Sequence, residues 1–412
     1  MKKPNIILIL ADDLGYGDVG CYGGTHISTP HLDAMAQAGL RFTDFHSNGA
    51  VCSPTRAALL TGRYQQRAGI DSVISAANHR HVGLETSETT FANTLKEVGY
   101  ATAIYGKWHL GYAPEYNPLH QGFDTFRGFV SGNVDYFSHI DQAGHEDWWQ
   151  DVALNNEEGY TTDLVTQHGL QFIDAHKDQP FCLYLAHECP HYPYQGPNDK
   201  GFRTAGNPQP NQGPRQDTEV AYAEMMEAMD RGIGEIINKV NDLGLEHDTL
   251  IFFWSDNGPA GPGSAGNLRG GKGTTWEGGH RVPAIAYWPG TIEADSVSDQ
   301  TALGMDLFPT FASLAKAPIN RKLDGVDLSP VLKGKGDLAP RNLFWRHGVR
   351  KAVRQGDWKW VESTEDSGLF NLSNDLSEQS DLSEQMPEKA QEMYDLFNAW
   401  ETDVTSHGNM KT

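Results

Sequence analysis

Cysteine, proline and arginine stand at fixed spacing in Cys52-Ser53-Pro54-Thr55-Arg56, and Ala57 to Leu60 follow as good helix formers before Thr61-Gly62-Arg63. Ser53 suits an N-cap, Pro54 the first helical position and Gly62 the helix end. That places Cys52 at the positive end of a helix, where free N–H groups stabilise an anion. Arg56 follows on the first turn and offers a planar fork of donors matched to a tetrahedral oxyanion. A lone cysteine is most often a small buried apolar residue. In this setting a thiolate nucleophile is the competing reading.

Asp12-Asp13 fall just past the apolar run Ile6 to Leu10, and Asp256-Asn257 just past the run Thr249 to Trp254. In an open α/β sheet the carboxyl ends of strands line the ligand crevice. Either acidic pair alone reads as ordinary loop residues. Together they offer three carboxylates and an amide oxygen, a hard-oxygen set suited to Ca²⁺ or Mg²⁺. Gly106-Lys107-Trp108-His109 follows a third such run, Ala101 to Tyr105, and adds a point charge and a titratable imidazole. Two other motifs are decoys. Gly15-x-Gly17-x-x-Gly20 has dinucleotide spacing, but Asp12 and Asp13 would face the pyrophosphate and no helix follows Gly20. His187-Glu188-Cys189-Pro190-His191 has zinc-protease spacing, but that motif needs a helix, which Pro190 and Pro193 break.

Cys-x-Pro-x-Arg followed by Thr61-Gly62-Arg63 resembles the signature of the type I sulfatases, within the alkaline-phosphatase-like superfamily that includes bacterial carbohydrate sulfatases and arylsulfatases. The resemblance implies that a maturation enzyme oxidises Cys52 to formylglycine, whose hydrated aldehyde is the nucleophile. It implies a divalent site made of Asp12, Asp13, Asp256, Asn257 and an oxygen of residue 52. Gly106 to Gly111, preceded by Gly99-Tyr100-Ala101-Thr102, is similar to the second sulfatase signature and brings in Lys107 and His109. His191 matches the family's histidine near the leaving group. Lys272, inside the Gly-rich run Gly270 to Gly279, matches its distal lysine. The family also uses a serine or a neighbouring polar group after the second signature. Ser131 and Asn133 both fit that place, the spacing does not choose, and neither joins the core set. The implied reaction is in-line attack on sulfur with a covalent sulfate. Asp256 is a candidate to take the first proton, Arg56, Lys107 and Lys272 hold the sulfate oxygens, His191 (with Lys272 a possible helper) protonates the leaving alcohol, and His109 drives sulfate release.

These residues need a large scaffold. The chain has 412 residues, enough for a big α/β domain with an appendage. Its 54 Asp+Glu against 32 Lys+Arg give −22, which argues against nucleic acid or an anionic membrane as partner. An anionic substrate then needs a local cluster of cations or a metal. Four cysteines in a chain this long make no disulfide framework and are expected reduced. No apolar run reaches the length of a membrane span. The start, Met1-Lys2-Lys3 and Ile6 to Leu10, has a leader's charge but too short an apolar run, interrupted by Asp12-Asp13. The chain as it stands therefore reads as cytoplasmic, or periplasmic if a leader was removed.

Apolar runs at 6–10, 101–105, 181–186, 249–254 and 283–287 alternate with helical stretches at 29–38, 89–98, 160–176, 217–243 and 306–315. That pattern predicts a mixed sheet covered by helices on both faces. After about Asn320 the texture changes to short strands, at 342–353, 358–362 and 369–372, and a helix at 387–400. The predicted division is an α/β catalytic domain over 1–320 and a small C-terminal α+β lobe over 321–412. The irregular stretch Pro190 to Arg215 is long enough to be functional. His145 to Gln150 sets Trp148 and Trp149 among polar groups, where indoles either stack on sugar rings or pack. The expected function is a sulfatase acting on a sulfated saccharide. The alternatives are a phosphodiester or phosphonate monoester hydrolase of the same fold, or a glycan-binding protein whose Cys52 is never converted. Sugar, sulfate position and oligomeric state are not legible.

Overall fold

The computed structural model describes residues 3–209, 212–364 and 366–406; Met1 and Lys2 of the leader-like start lie outside them, as do residues 210 and 211 of the irregular stretch. The chain runs β1 (Asn5–Ala11), α1 (Pro30–Gln37), β2 (Leu40–Phe42), β3 (Phe45–His46), α2 (Cys52–Thr61), α3 (Phe91–Glu97), β4 (Ala101–Lys107), β5 (Thr125–Phe129), β6 (Trp149–Gln150), β7 (Ala153–Leu154), α4 (Thr161–His176), β8 (Phe181–Ala186), α5 (Thr218–Asp242), β9 (Thr249–Ser255), α6 (Glu277–His280), β10 (Ala284–Tyr287), β11 (Ser296–Ser298), β12 (Ala302–Leu303), α7 (Leu307–Ala315), α8 (Ser329–Leu332), β13 (Asn342–His347), β14 (Arg350–Gln355), β15 (Trp358–Glu362), β16 (Gly368–Asn371) and α9 (Pro387–Thr405). No helix among the described residues is long and apolar enough to cross a membrane.

The main sheet has the order β11-β2-β10-β9-β1-β8-β4-β5-β6-β7. β9, β1, β8 and β4 are consecutive and parallel, with Ile9 level with Phe253 on one side and Leu185 on the other. Their carboxyl ends therefore emerge at one edge, and the polar residues after each run meet there. β1 shows why the runs are apolar throughout. Its side chains alternate between faces. Ile6, Leu8 and Leu10 enter the core shared with Leu59, Phe91 and Phe308 of α2, α3 and α7, whereas Ile7 and Ile9 enter the core shared with Leu32, Val165 and Met225 of α1, α4 and α5. Both faces are covered, so neither can carry a polar residue cheaply.

The short strands β2, β5 and β11 are absent from the sequence reading. Arg41 and Arg127 interrupt the apolar pattern of the first two, and both strands lie outside the fully covered centre of the sheet. The stretch 342–353 is also not one strand. It turns at Gly348, whose φ is +59°, and splits into the hairpin β13–β14. The terminal helix runs past Trp400 to Thr405.

The four-stranded antiparallel sheet β13-β14-β15-β16 packs on α9 and shares a core with Ala58, Tyr64 and Trp276. Buried charges fasten it to the segment that carries Lys272. Lys359 Nζ donates to Glu277 Oε1 at 2.9 Å and lies 2.8 Å from Glu378 Oε1. Arg354 forks onto Asp44 at 2.8 Å through each terminal nitrogen. Removing one partner would leave an uncompensated buried charge. The C-terminal sheet thus holds α6, and with it the Gly-rich turn beside the site, in a fixed position.

Candidate active site

Asp12 and Asp13 follow β1, Asp256 and Asn257 follow β9, Lys107 ends β4, and His191 follows β8. The first three parallel strand ends are legible from composition alone. Asp13 and His109 have φ of +65° and +57°, a conformation that non-glycine residues adopt rarely and that gathers at functional sites. Gly106, with φ +106°, lies against β8 so closely that a Cβ would sit 2.1 Å from the Ala186 carbonyl oxygen. That approach brings Lys107, fully buried, onto Asp12, with which its ammonium forms a short ion pair.

Cys52 is the first residue of α2, with extended Val51 as N-cap. Contrary to expectation Ser53 does not cap: the helix already begins at Cys52, and the Ser53 hydroxyl accepts from the Ile74 backbone N–H at 3.1 Å, pinning the following loop to the helix. Gly62 does end the helix, at φ +65°. Cys52 still presents its side chain at the helix N-terminus. Burial pushes its thiol up to about 11, against the pull of Lys107 and Lys272, so the unmodified side chain is a weak nucleophile. Arg56 Nε and Nη2 donate to Asp256 Oδ2 at 3.1 and 2.9 Å, and Nη1 donates to the Lys107 carbonyl at 2.9 Å. Lys272 Nζ reaches both oxygens of Asp13, at 2.7 and 2.9 Å.

Three carboxyl groups therefore face three cations in a buried cluster. Burial alone would raise Asp12, but Lys107, His191 and Arg56 hold its carboxyl well below the usual range. Burial and the neighbouring Asp12 charge push Asp256 the other way, to about 7. Like charges in one site separate in this manner.

The two histidines differ. His109 Nε2 donates to the Ile74 carbonyl at 3.2 Å, which leaves Nδ1 as the unprotonated nitrogen, buried and without a partner among the described residues. Burial, Lys107 and Arg56 hold it well below the ordinary histidine value, so the ring is neutral. Gly132 permits its placement, since a Cβ there would come within 2.8 Å of Nε2. His191 Nδ1 donates to the Tyr192 carbonyl at 2.6 Å and turns Nε2 toward Asp13 Oδ2, 3.7 Å away. Burial and Lys272 lower it to about 4; a bound anion would favour its protonated form.

One ligating atom from each of Asp12, Asp13, Cys52 and His191 lies within 4.8 Å of the others. Asp12 Oδ1 and Asn257 Oδ1 are buried without hydrogen-bond partners among the described residues. Asn257 spends its Nδ2 on Asp13 Oδ1 at 2.8 Å and on the Gly258 carbonyl at 2.9 Å, which turns its orphan oxygen away from those contacts. Orphaned buried oxygens beside paired carboxyls fit a hard divalent cation.

Cys52, His109, His191 and Lys272 open onto a cavity of about 500 Å³. Its walls also contain Ile74, Ser75, Tyr112, Gln142 and Tyr192, none of which sequence reasoning singled out, together with both Ser131 and Asn133. Tyr192 and Pro208 come from the irregular stretch after β8. Trp148 and Trp149 do not line it. Trp148 is 2% exposed and stacked on His139 at 4.4 Å, and the Trp149 indole N–H donates to Asp147 Oδ1 at 2.6 Å. Asp147 in turn accepts the backbone N–H groups of Val130 and Ser131. Trp149 thus braces the Ser131 part of the cavity wall through Asp147, Trp148 packs with His139 and Phe129 away from the cavity, and tyrosines supply the aromatic surface. The decoy motifs also resolve. Gly15 to Gly20 leads into short 3₁₀ turns at 16–18 and 20–22, and His187 to His191 has no helix. All four cysteines are unpaired.

The sequence profile of the family described as Sulfatase matches residues 4–317. Arylsulfatase A of Homo sapiens is 38% identical over 388 residues, 86% of this chain and 72% of that protein. N-acetylgalactosamine-6-sulfatase of Mus musculus is 37% identical, over 89% of this chain and 74% of that protein. Among solved structures, Ps i-CgsB in complex with k-i-k-neocarrahexaose aligns at a TM-score of 0.88 and 32% identity, over 99% of this chain and 94% of that one. With its motifs gathered on the ends of four parallel strands, this chain belongs to the sulfatase family, the sulfuric ester hydrolases of the alkaline-phosphatase-like fold.

Proposed function

We propose that this sulfatase removes sulfate from a sulfated saccharide, using formylglycine made from Cys52 and a divalent ion, Ca²⁺ or Mg²⁺, held by Asp12, Asp13, Asp256 and Asn257 with an oxygen of residue 52. The observation that carries the substrate reading is the cavity over Cys52. Tyr112, Tyr192 and Ile74 give it faces for a sugar ring, and Ser75, Asn133 and Gln142 give it partners for hydroxyls. The relative named N-acetylgalactosamine-6-sulfatase and the solved structure of Ps i-CgsB in complex with k-i-k-neocarrahexaose support that reading. Residues 1–320 form the catalytic unit in this account and 321–412 a smaller unit that buttresses Lys272. A separate maturation enzyme has to act on Cys52 first.

When bound, the ion would supply positive charge that favours ionisation of the residue 52 hydroxyl and offsets the charge of the sulfate. Asp256, raised by burial, accepts a proton as attack begins. Lys107, Lys272 and Arg56 lie around the position of the sulfate oxygens, already held by Asp12, Asp13 and Asp256, so little reorganisation is needed as charge shifts. His191 Nε2 gives a proton to the leaving alcohol. His109 Nδ1, left as the acceptor because Nε2 donates to the Ile74 carbonyl, takes the proton of the second hydroxyl on residue 52, so that the aldehyde reforms as its C–O bond to sulfate breaks and sulfate leaves.

Chelation should remove activity, and Ca²⁺ or Mg²⁺ should restore it. The same ions should raise the thermal midpoint, since binding to the folded state adds about 2.7 kcal/mol of stability at 100 times Kd. Activity indifferent to exhaustive chelation, or restored by zinc alone, contradicts the oxygen-ligand assignment. The function itself is tested with matured protein on defined sulfated saccharides, aryl sulfates, and the matching phosphate diesters and phosphonate monoesters. Saccharide desulfation with the highest kcat/KM is expected. A preference for the phosphorus esters would replace this reading by the ester-hydrolase alternative, and binding without turnover would make the protein a glycan binder.

A further inference from the structure

We propose that Arg80, packed on Tyr112 and Asp141 of the catalytic cavity wall, recognises a second anionic group, sulfate or carboxylate, on the saccharide that presents its sulfate to residue 52. This rests on the reading of the cavity as a saccharide site. Tyr112 and Asp141 both line that cavity. The Arg80 guanidinium lies over the Tyr112 ring, 4.6 Å from its centroid, and its Nη1 is 3.4 Å from Asp141 Oδ2. The Arg80 side chain is 43% exposed, whereas Asp141 is 2% exposed. Arg80 therefore rests on two residues of the cavity wall and keeps nearly half of its side chain in water.

Its pairing leaves capacity for a ligand. Asp141 Oδ1 already accepts the backbone N–H groups of Ala143 and His145, each at 2.9 Å. The contact with Arg80 is a single long one, and a guanidinium carries five N–H donors. Arg56, Lys107 and Lys272, by contrast, are each engaged by a buried carboxyl group at the sulfate position. In a chain of net charge −22 a polyanion approaches against the overall field. A half-exposed guanidinium on the aromatic face of a wall residue offsets this locally and matches a planar or tetrahedral oxyanion. Its position relative to the nucleophile is fixed as well. The loop that carries Arg80 also carries Ile74 and Ser75 of the cavity wall and is pinned to α2 through Ile74 and Ser53.

The test compares Arg80→Gln, Arg80→Lys and Arg80→Glu with the unsubstituted matured enzyme on two saccharides of equal length. One carries only the scissile sulfate; the other carries a further sulfate or carboxylate on the adjoining sugar. For Arg80→Gln the expected result is a roughly 3- to 10-fold rise in KM on the doubly anionic saccharide, kcat nearly unchanged, and less than about 2-fold change on the other. Arg80→Glu should lose more, Arg80→Lys should recover part, and added salt should narrow the difference between unsubstituted enzyme and Arg80→Gln. Equal losses on both saccharides, or no loss on either, would overturn the proposal and leave Arg80 a structural partner of Tyr112. Turnover of aryl sulfates but of neither saccharide by the unsubstituted enzyme would overturn the saccharide reading, and this proposal with it.

Discussion

Cys52→Ala is expected to abolish sulfate ester hydrolysis, by at least ~10³-fold in kcat/KM, because the nucleophile is gone while the cations and carboxyls around it remain. Residue 52 is 2% exposed and begins a helix whose remaining residues are all buried, so the loss of one sulfur atom leaves the packing of α2 on the sheet in place. A denaturation midpoint close to that of the parent would separate loss of chemistry from loss of fold. The parent peptide containing residue 52 should be lighter than its thiol form by about 18 Da, the mark of conversion to formylglycine. The buried thiol, raised to about 11, gives a physical reason why conversion matters: left as cysteine, this side chain is mostly protonated at neutral pH.

The second large effect separates the two histidines by leaving group. If His191 protonates the leaving alcohol, His191→Ala should slow hydrolysis of sugar sulfates by ~10²–10⁴-fold and aryl sulfates far less, since a phenolate leaves without a proton. His109→Ala should behave differently. Its unpartnered Nδ1 belongs to the release step, so the variant should give a burst of alcohol close to one per active site, then slow turnover on both substrates. Rapid-quench kinetics of both variants on one sugar sulfate and one aryl sulfate decide this. Equal losses on the two substrates for His191→Ala, and no burst for His109→Ala, would show the roles to be wrongly assigned.

The residues that form the cluster were legible for a simple reason. Asp12, Asp13, Asp256, Lys107 and His191 each follow or end a short apolar run, and Cys52 and Arg56 lie in the first turns of a helix. Lys272, in a Gly-rich turn, was legible only through the family resemblance. Parallel strands buried on both faces write such apolar runs plainly. Asp12, Lys107, His191 and Asp256 are then brought to one edge by strand order, which the sequence pattern does not display. The cavity wall was not legible. Ile74, Ser75 and Tyr112 sit in irregular segments positioned by single contacts, such as the Ser53 hydroxyl to the Ile74 N–H, and no periodicity announces them. Ser53 reads as a cap for the same reason: its use elsewhere depends on a loop twenty-one residues away. Trp148 and Trp149 show the converse. Their polar surroundings left stacking on a sugar and packing equally open, and the partners that settle it for packing, Asp147 for Trp149 and His139 for Trp148, are not marked by any pattern. In the C-terminal sheet, Lys359 and Glu277 look like surface charges in sequence, and only their mutual burial makes them a clamp on the Lys272 segment.

The central claim is that chemistry at residue 52, after its conversion, is what turns over sulfate esters in this site. It is tested most directly by preparing the protein at graded degrees of maturation. For each preparation the fraction of residue 52 in the form lighter by about 18 Da is measured by peptide mass, alongside sulfate release from one sulfated saccharide. The account predicts that specific activity rises in proportion to that fraction and extrapolates to zero for the unmodified thiol. Undiminished activity in a preparation that contains only cysteine at residue 52 would contradict it.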